Sequence, residues 1–281
     1  MGYLFILLAA ASWALIGPVA KFAFRAGLSP LEVAFFRALI GGFFFFLHAM
    51  FRRRLHLGRT ALLPTLLFGA VGVAGFYGSY QLAVAYGGAA LASVLLYTAP
   101  AWVALMGALW LGERLDPAKV LAVLLTLLGV GFLALGSGGG LEFSLKGFFF
   151  GLLSGLGYAL YYLFGKRYFA HTPAEAIYAV ALPAGALFLL PAVKSWPTSL
   201  GVWGLLLVIG FFSTYLAYAF YAAGLVRLEA TRASVVATLE PVLASFFAYL
   251  WWGERFTLLG YLGAGLILAA VFLVVLGSRP R

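Results

Sequence analysis

The sequence has no cysteine. Disulfides, thiolate nucleophiles and cysteine-bound metals are therefore excluded, and the redox compartment is left undetermined. Charge is also scarce, with Asp, Glu, Lys and Arg making up 9% of the 281 residues. His48, His56 and His171 are the only histidines, and no His/Asp/Glu group has the spacing of a metal site. No glycine-rich phosphate cradle precedes a helix, so ATP-driven chemistry has no motif to rest on. These absences predict no metal and no cofactor, and they disfavour a membrane-embedded enzyme.

What the chain has instead is apolar surface: 65% of its residues are hydrophobic. So few charges could not cover that much apolar area in water, so the solvent is lipid and the lipid bilayer is the first partner. The net charge of +10 does not indicate nucleic acid. Arg52, Arg53, Arg54 and Arg59 crowd one short loop between apolar runs, which is where charge sets membrane topology.

Ten apolar segments can be drawn, at about 3–23, 31–51, 61–84, 89–111, 117–136, 147–168, 174–193, 200–225, 230–252 and 257–277. Each is near the roughly 20 residues a helix needs to cross a hydrocarbon core. None shows the period-two alternation of a barrel strand. The first run continues to Lys21 with no convincing cleavage site, and is expected to be a retained span. Counting Lys and Arg by side puts Arg114, Lys166, Arg167, Arg227 and Arg232 with the 52–59 cluster, on the side of both termini. That excess predicts cytoplasmic termini, hence a multi-pass protein of the cell inner membrane.

One stretch occurs twice. Ala92-Ser93-Val94, Pro100, Trp110 and Gly112-Glu113-Arg114 return as Ala233-Ser234-Val235, Pro241, Trp251 and Gly253-Glu254-Arg255, an offset of 241 − 100 = 141. Tyr77 and Tyr80 map onto Tyr218 and Tyr221 by the same shift. The reading is a first five-helix repeat at 1–136, a glycine-rich linker at 137–146 and a second repeat at 147–281. Five spans is an odd number, so the second copy must run with opposite topology. The expected fold is an all-α integral membrane protein of ten transmembrane helices in two inverted five-helix repeats.

Two such halves, with Trp13 and Lys21, Arg37, Pro100 followed by Gly112-Glu113-Arg114, and Leu239-Glu240-Pro241 followed by Gly253-Glu254-Arg255, resemble the EamA domain of the drug/metabolite transporter superfamily. The resemblance covers essentially the whole chain. It implies a ten-helix basket around a central cavity, and an exporter of amino acids or similar metabolites, as in the YddG-like members. A drug, nucleoside, sugar or lipid-carrier exporter of the same superfamily is the competing expectation. Alternating access driven by a substrate gradient or by coupled protons is implied, with a small-molecule substrate and a monomer.

Several residues are candidates for that cavity. Glu240 lies near the middle of the ninth span, where an acid costs about 2.5–3.5 kcal/mol. It is either a substrate-amine or proton-coupling site, or a structural glutamate beside a helix break. Its counterpart in the first repeat is Ala99. Pro100 and Pro241 each remove a backbone donor and predict kinks that could act as hinges. Tyr77, Tyr80 and Gln81 share one face of the third helix, and Thr214, Tyr218 and Tyr221 one face of the eighth. Ser154, Tyr158 and Tyr161 share a face of the sixth, with Tyr162 at its edge. Trp13 is too deep for an interfacial belt, Trp102 lies just past Pro100, and Tyr97 just before it. Each is a substrate-binding candidate, and each could equally serve helix packing. Arg37, a third of the way into the second span, could hold a substrate carboxylate, pair with Glu32 or reach outward.

Overall fold

The computed structural model describes residues 1–136, 144–253, 255 and 257–277; positions 137–143 of the linker and Glu254 lie outside the described residues. Among those described, the chain is helical and contains no strand. Helices α1 (Gly2–Ala14) and α2 (Ile16–Arg25) form the first span, and α3 (Pro30–Phe51) the second. The third apolar stretch contains α4 (Arg59–Phe68), a π-helical segment Gly69–Gly75 and α5 (Phe76–Leu96). Then come α6 (Ala99–Trp110), α7 (Pro117–Gly136), α8 (Leu145–Tyr168) and α9 (Ala174–Leu189). The last part holds α10 (Leu200–Gly210), a second π-helical segment Phe211–Leu216, α11 (Ala217–Leu225), α12 (Ala230–Ala237), α13 (Leu239–Trp252) and α14 (Leu258–Leu276).

Nine helices among the described residues are long and apolar enough to cross a membrane, and Ala99–Trp110 is a shorter apolar helix. The sequence predicts ten spans. The difference lies in Arg59–Leu96, 38 residues counted as one. At 1.5 Å per residue such a helix would be about 57 Å long, against about 30 Å of hydrocarbon. It is in fact interrupted: Gly88 sits at φ 76°, ψ 164°, a region open essentially to glycine alone.

Helix starts follow their residues. Before α3, the Ser29 hydroxyl accepts from Glu32 N at 3.3 Å while Glu32 Oε2 accepts from Ser29 N at 2.7 Å, and Pro30 fills the first helical position. The predicted proline kinks are breaks. α5 ends at Leu96 and α6 starts at Ala99, with Pro100 in its first turn; α12 ends at Ala237 and α13 starts at Leu239, with Pro241 in its first turn. At each break a threonine hydroxyl donates back three residues, Thr98 to Leu95 O at 2.6 Å and Thr238 to Val235 O at 2.5 Å. The side chain thus satisfies a carbonyl that the interrupted helix leaves open.

Lipid tails are as apolar as leucine, so helices in a bilayer associate by close packing, and small residues permit it. α5 packs on α8, α7 on α14, and α3 on α9. A side chain at Gly147 would run into the Gly87 backbone, one at Gly129 into the Gly263 backbone, and one at Gly42 into Pro183. Large apolar side chains such as Phe43, Leu63, Leu109 and Phe272 are left on the outside, where lipid meets them.

One end of the bundle is tied by polar contacts between the two halves of the chain. Glu113 accepts from Ala230 N at 2.5 Å, Thr231 N at 3.1 Å and Thr231 Oγ1 at 2.8 Å, capping the N-terminus of α12. Buried Lys119 reaches Glu229 at 2.8 Å and donates to Arg114 O at 2.5 Å. Arg232 pairs with Glu229 at 2.7 Å and lies 3.8 Å from Asp116. Lys166 Nζ donates to the carbonyls of Leu225 and Leu228 at 3.1 and 2.5 Å, at the end of α11.

Candidate substrate cavity

A cavity of about 620 Å³ enters the bundle from the opposite end. Its mouth includes the exposed residues Phe24, Pro30, Ala89 and Arg255, and its floor is made by side chains from the middle of the spans. None of Glu113, Lys119, Lys166, Glu229 or Arg232 lines it. The cavity is therefore open at one end and closed at the other.

The floor is aromatic. Trp13 of α1 meets Tyr158, Tyr218 and Tyr221 with ring centroids 6.3, 5.8 and 5.6 Å away. Phe76 stacks on Tyr158 at 5.5 Å with the planes 4° apart. Tyr77 and Tyr218 share a hydrogen bond of 2.9 Å between their hydroxyls. Both follow directly on the π-helical segments, which are related by the repeat: shifting Gly69–Gly75 by 141 gives 210–216, against the observed Phe211–Leu216. The wider turn of a π segment rotates the following residues relative to those before it, and such segments recur at functional sites.

Two charged side chains face this aromatic space, Arg37 from α3 and Glu240 from the first turn of α13. Glu240 lines the cavity together with Tyr97 and Tyr158. Arg37 Nε donates to Thr214 Oγ1 at 3.3 Å, and its guanidinium carbon lies 4.7 Å from the centre of the Tyr77 ring. A cation over an aromatic face is favourable, and more so away from water. Glu32, the alternative partner for Arg37, is occupied elsewhere: its carboxylate accepts from the backbone of Ser29, Lys194 and Ser195.

Of the sequence candidates, Trp13, Tyr77, Tyr80, Gln81, Tyr97, Tyr158, Tyr218, Glu240 and Pro241 line the cavity. Tyr162, Trp102, Thr214 and Pro100 do not. Tyr162 stands behind the wall, 3.4 Å from the Tyr158 hydroxyl, and is fully buried. Thr214 acts one step back, positioning Arg37. Trp102 sits outside the cavity with its indole N–H buried and without a hydrogen-bond partner among the described residues. Depth along a span is readable from sequence, but which way a side chain faces around the helix is not, once a break or π segment has rotated it. Lys21 lines the cavity mouth. Tyr161 and Tyr221, which share the faces of Tyr158 and Tyr218, line it as well. Phe76, Ser93 and Arg255 line it too and are not among the sequence candidates.

Comparison with known proteins agrees with this architecture. The model of the EamA-like transporter family matches residues 1–135 and 145–276. An uncharacterized transporter of Archaeoglobus fulgidus is 32% identical over 266 residues, 92% of each chain. The uncharacterized inner membrane transporter YicL of Salmonella typhimurium is 28% identical across 100% of this chain and 97% of its own. A probable amino-acid metabolite efflux pump of Escherichia coli is 27% identical over 69% of both. A solved crystal structure shares the fold, with a TM-score of 0.86 at 21% identity over 99% of this chain and 97% of that one. The chain belongs to the EamA-like transporter family.

Proposed function

We propose that this protein is a secondary transporter that moves amino acids or closely related small metabolites outward across the cytoplasmic membrane. The carrying observation is the cavity itself: one-ended, aromatic-walled and supplied with Glu240 at its floor. Such a site holds an ammonium by charge and by ring faces. The efflux-pump names of the Escherichia coli and Salmonella typhimurium relatives support the same reading.

Alternating access is proposed from the repeat. Reading Gly88 as a turn gives ten spans, with 89–110 crossing once through the break at Tyr97 and Thr98. An inverted arrangement of 1–136 and 147–281 is supported by the matched π segments, the matched proline breaks and the packing of α7 on α14, which occupy corresponding places in the two halves. With the basic 52–59 loop and both termini in the cytoplasm, the cavity opens outward and the Glu113 end is the closed cytoplasmic side. Tyr77, Tyr80, Gln81, Tyr97, Tyr158, Tyr218, Trp13 and Glu240 are proposed to contact substrate. Purified protein in liposomes loaded with unlabelled amino acids should accumulate the labelled ones by counterflow. No counterflow of any amino acid would overturn the reading.

A further inference from the structure

Arg37 and Glu240, a base and an acid from different helices, line one cavity. No ion pair of 4 Å or shorter joins them among the described residues. That is an unusual way to keep two charges inside a membrane, where opposite ions gain most by direct contact. Thr214 and the Tyr77 ring hold Arg37, whereas Glu240 lines the cavity with Tyr97 and Tyr158. Arg37 and Glu240 come from different helices, α3 and α13, so the gap between them belongs to the fold.

The hydrogen bonding of Arg37 narrows the role further. Its one hydrogen bond among the described residues leaves from Nε, and among those residues the two terminal nitrogens donate to none. Those nitrogens form the fork that fits a carboxylate with two parallel hydrogen bonds. A lone anion on Arg37 would leave Glu240 facing the cavity without a counter-ion, and a lone cation on Glu240 would strand Arg37. A molecule carrying both charges a few ångströms apart satisfies both.

We infer that Arg37 is the carboxylate receptor of the transport site, and that with Glu240 as ammonium receptor it makes the cavity selective for zwitterions. This rests on the transport reading above and adds a specificity rule: the substrate must carry a free carboxylate and a free amine together. Apolar faces led by Trp13 and Phe76 take the rest of the molecule, while Lys21 and Arg255 stand at the mouth.

The test uses matched series built on L-leucine, L-phenylalanine and L-threonine: the free amino acid, its methyl ester and its N-acetyl form. Binding to detergent-purified protein is read by thermal shift or calorimetry, and exchange by counterflow. Each free amino acid that binds should do so about tenfold or more tightly than either blocked form, because each blocked form leaves one buried charge unpaired. Arg37→Gln should lose that margin for the free acid while binding the methyl ester as well as the unmodified protein does. Retained ester binding also shows that the variant is folded. Arg37→Lys should recover part of the free-acid affinity. Equal binding and exchange of ester and free acid, or an Arg37→Gln protein with unchanged free-acid affinity, would overturn the inference and leave the transport reading standing. If no member of the series binds or exchanges, both fall.

Discussion

The hydroxyls of Tyr77 and Tyr218 meet at 2.9 Å, and the two residues are 141 positions apart, the interval that also separates Pro100 from Pro241. Two equivalent residues of a repeat can touch each other only near the axis that relates the copies. Under the inverted arrangement proposed here, that axis passes through the floor of the cavity. Trp13 and Tyr161 pack against Tyr218 there, with ring centroids 5.8 and 5.7 Å away.

This pair gives the first prediction. Tyr77→Phe or Tyr218→Phe leaves a buried hydroxyl without its partner and should cost about 1–3 kcal/mol of stability. The double variant should cost less than the sum of the two, since no orphaned hydroxyl remains. Denaturant or thermal unfolding of the four proteins in detergent measures the coupling, and strict additivity would remove the bond from any structural role.

Glu113 gives the second. Its carboxylate satisfies backbone donors at the start of α12, so Glu113→Ala should weaken the closed end by about 1 kcal/mol, the usual loss for a missing helix cap. The chain contains no cysteine, so a single Ser234→Cys substitution reports access without background. Ser234 is buried in α12 just behind the capped turn. A charged thiol reagent applied from the Glu113 side should label it several-fold faster when Glu113 is alanine. An unchanged rate would show that the cap does not help keep this end shut.

Acidity gives the third. Glu229, in the turn between α11 and α12, is partly buried, which pushes its pKa up, but hydrogen bonds and charge from Lys119 and Arg232 outweigh this and hold it below the ordinary carboxylate range. Because the folded value is depressed, the contribution is complete above the ordinary value and is lost as pH falls through the lowered one. The melting temperature should therefore drop on acidification in that range. Glu229→Gln should melt lower at neutral pH and show a smaller acid-induced drop. The side chain is 39% exposed, so solvent screening keeps the effect modest.

Much of this architecture is written in single residues. The prolines at 100 and 241 announce the helix breaks, and Ser29, Pro30 and Glu32 announce the start of α3. The π segments leave no such mark: Gly-Ala-Val-Gly-Val-Ala-Gly at 69–75 reads as an ordinary apolar helical run. Arg37 stands out as a charge inside a span, but its choice of Thr214 over Glu32 depends on a contact 177 residues away in sequence. Glu32 is taken by the backbone donors of Lys194 and Ser195, which lie 162 and 163 residues away along the chain. Trp102 and Tyr162 have the right depth and residue type for the cavity and miss it by orientation alone.

The charged cluster of Asp116, Lys119, Glu229 and Arg232 has no mirror. Shifted by 141, these positions become Thr257, Gly260, Gly88 and Leu91, with no ionisable group among them. A transporter made of two near-copies could rest with equal ease in either of two exchanged shapes. Under the alternating access proposed above, these four charges favour the shape that opens away from them. Raising the ionic strength on that one face should then loosen the closed end.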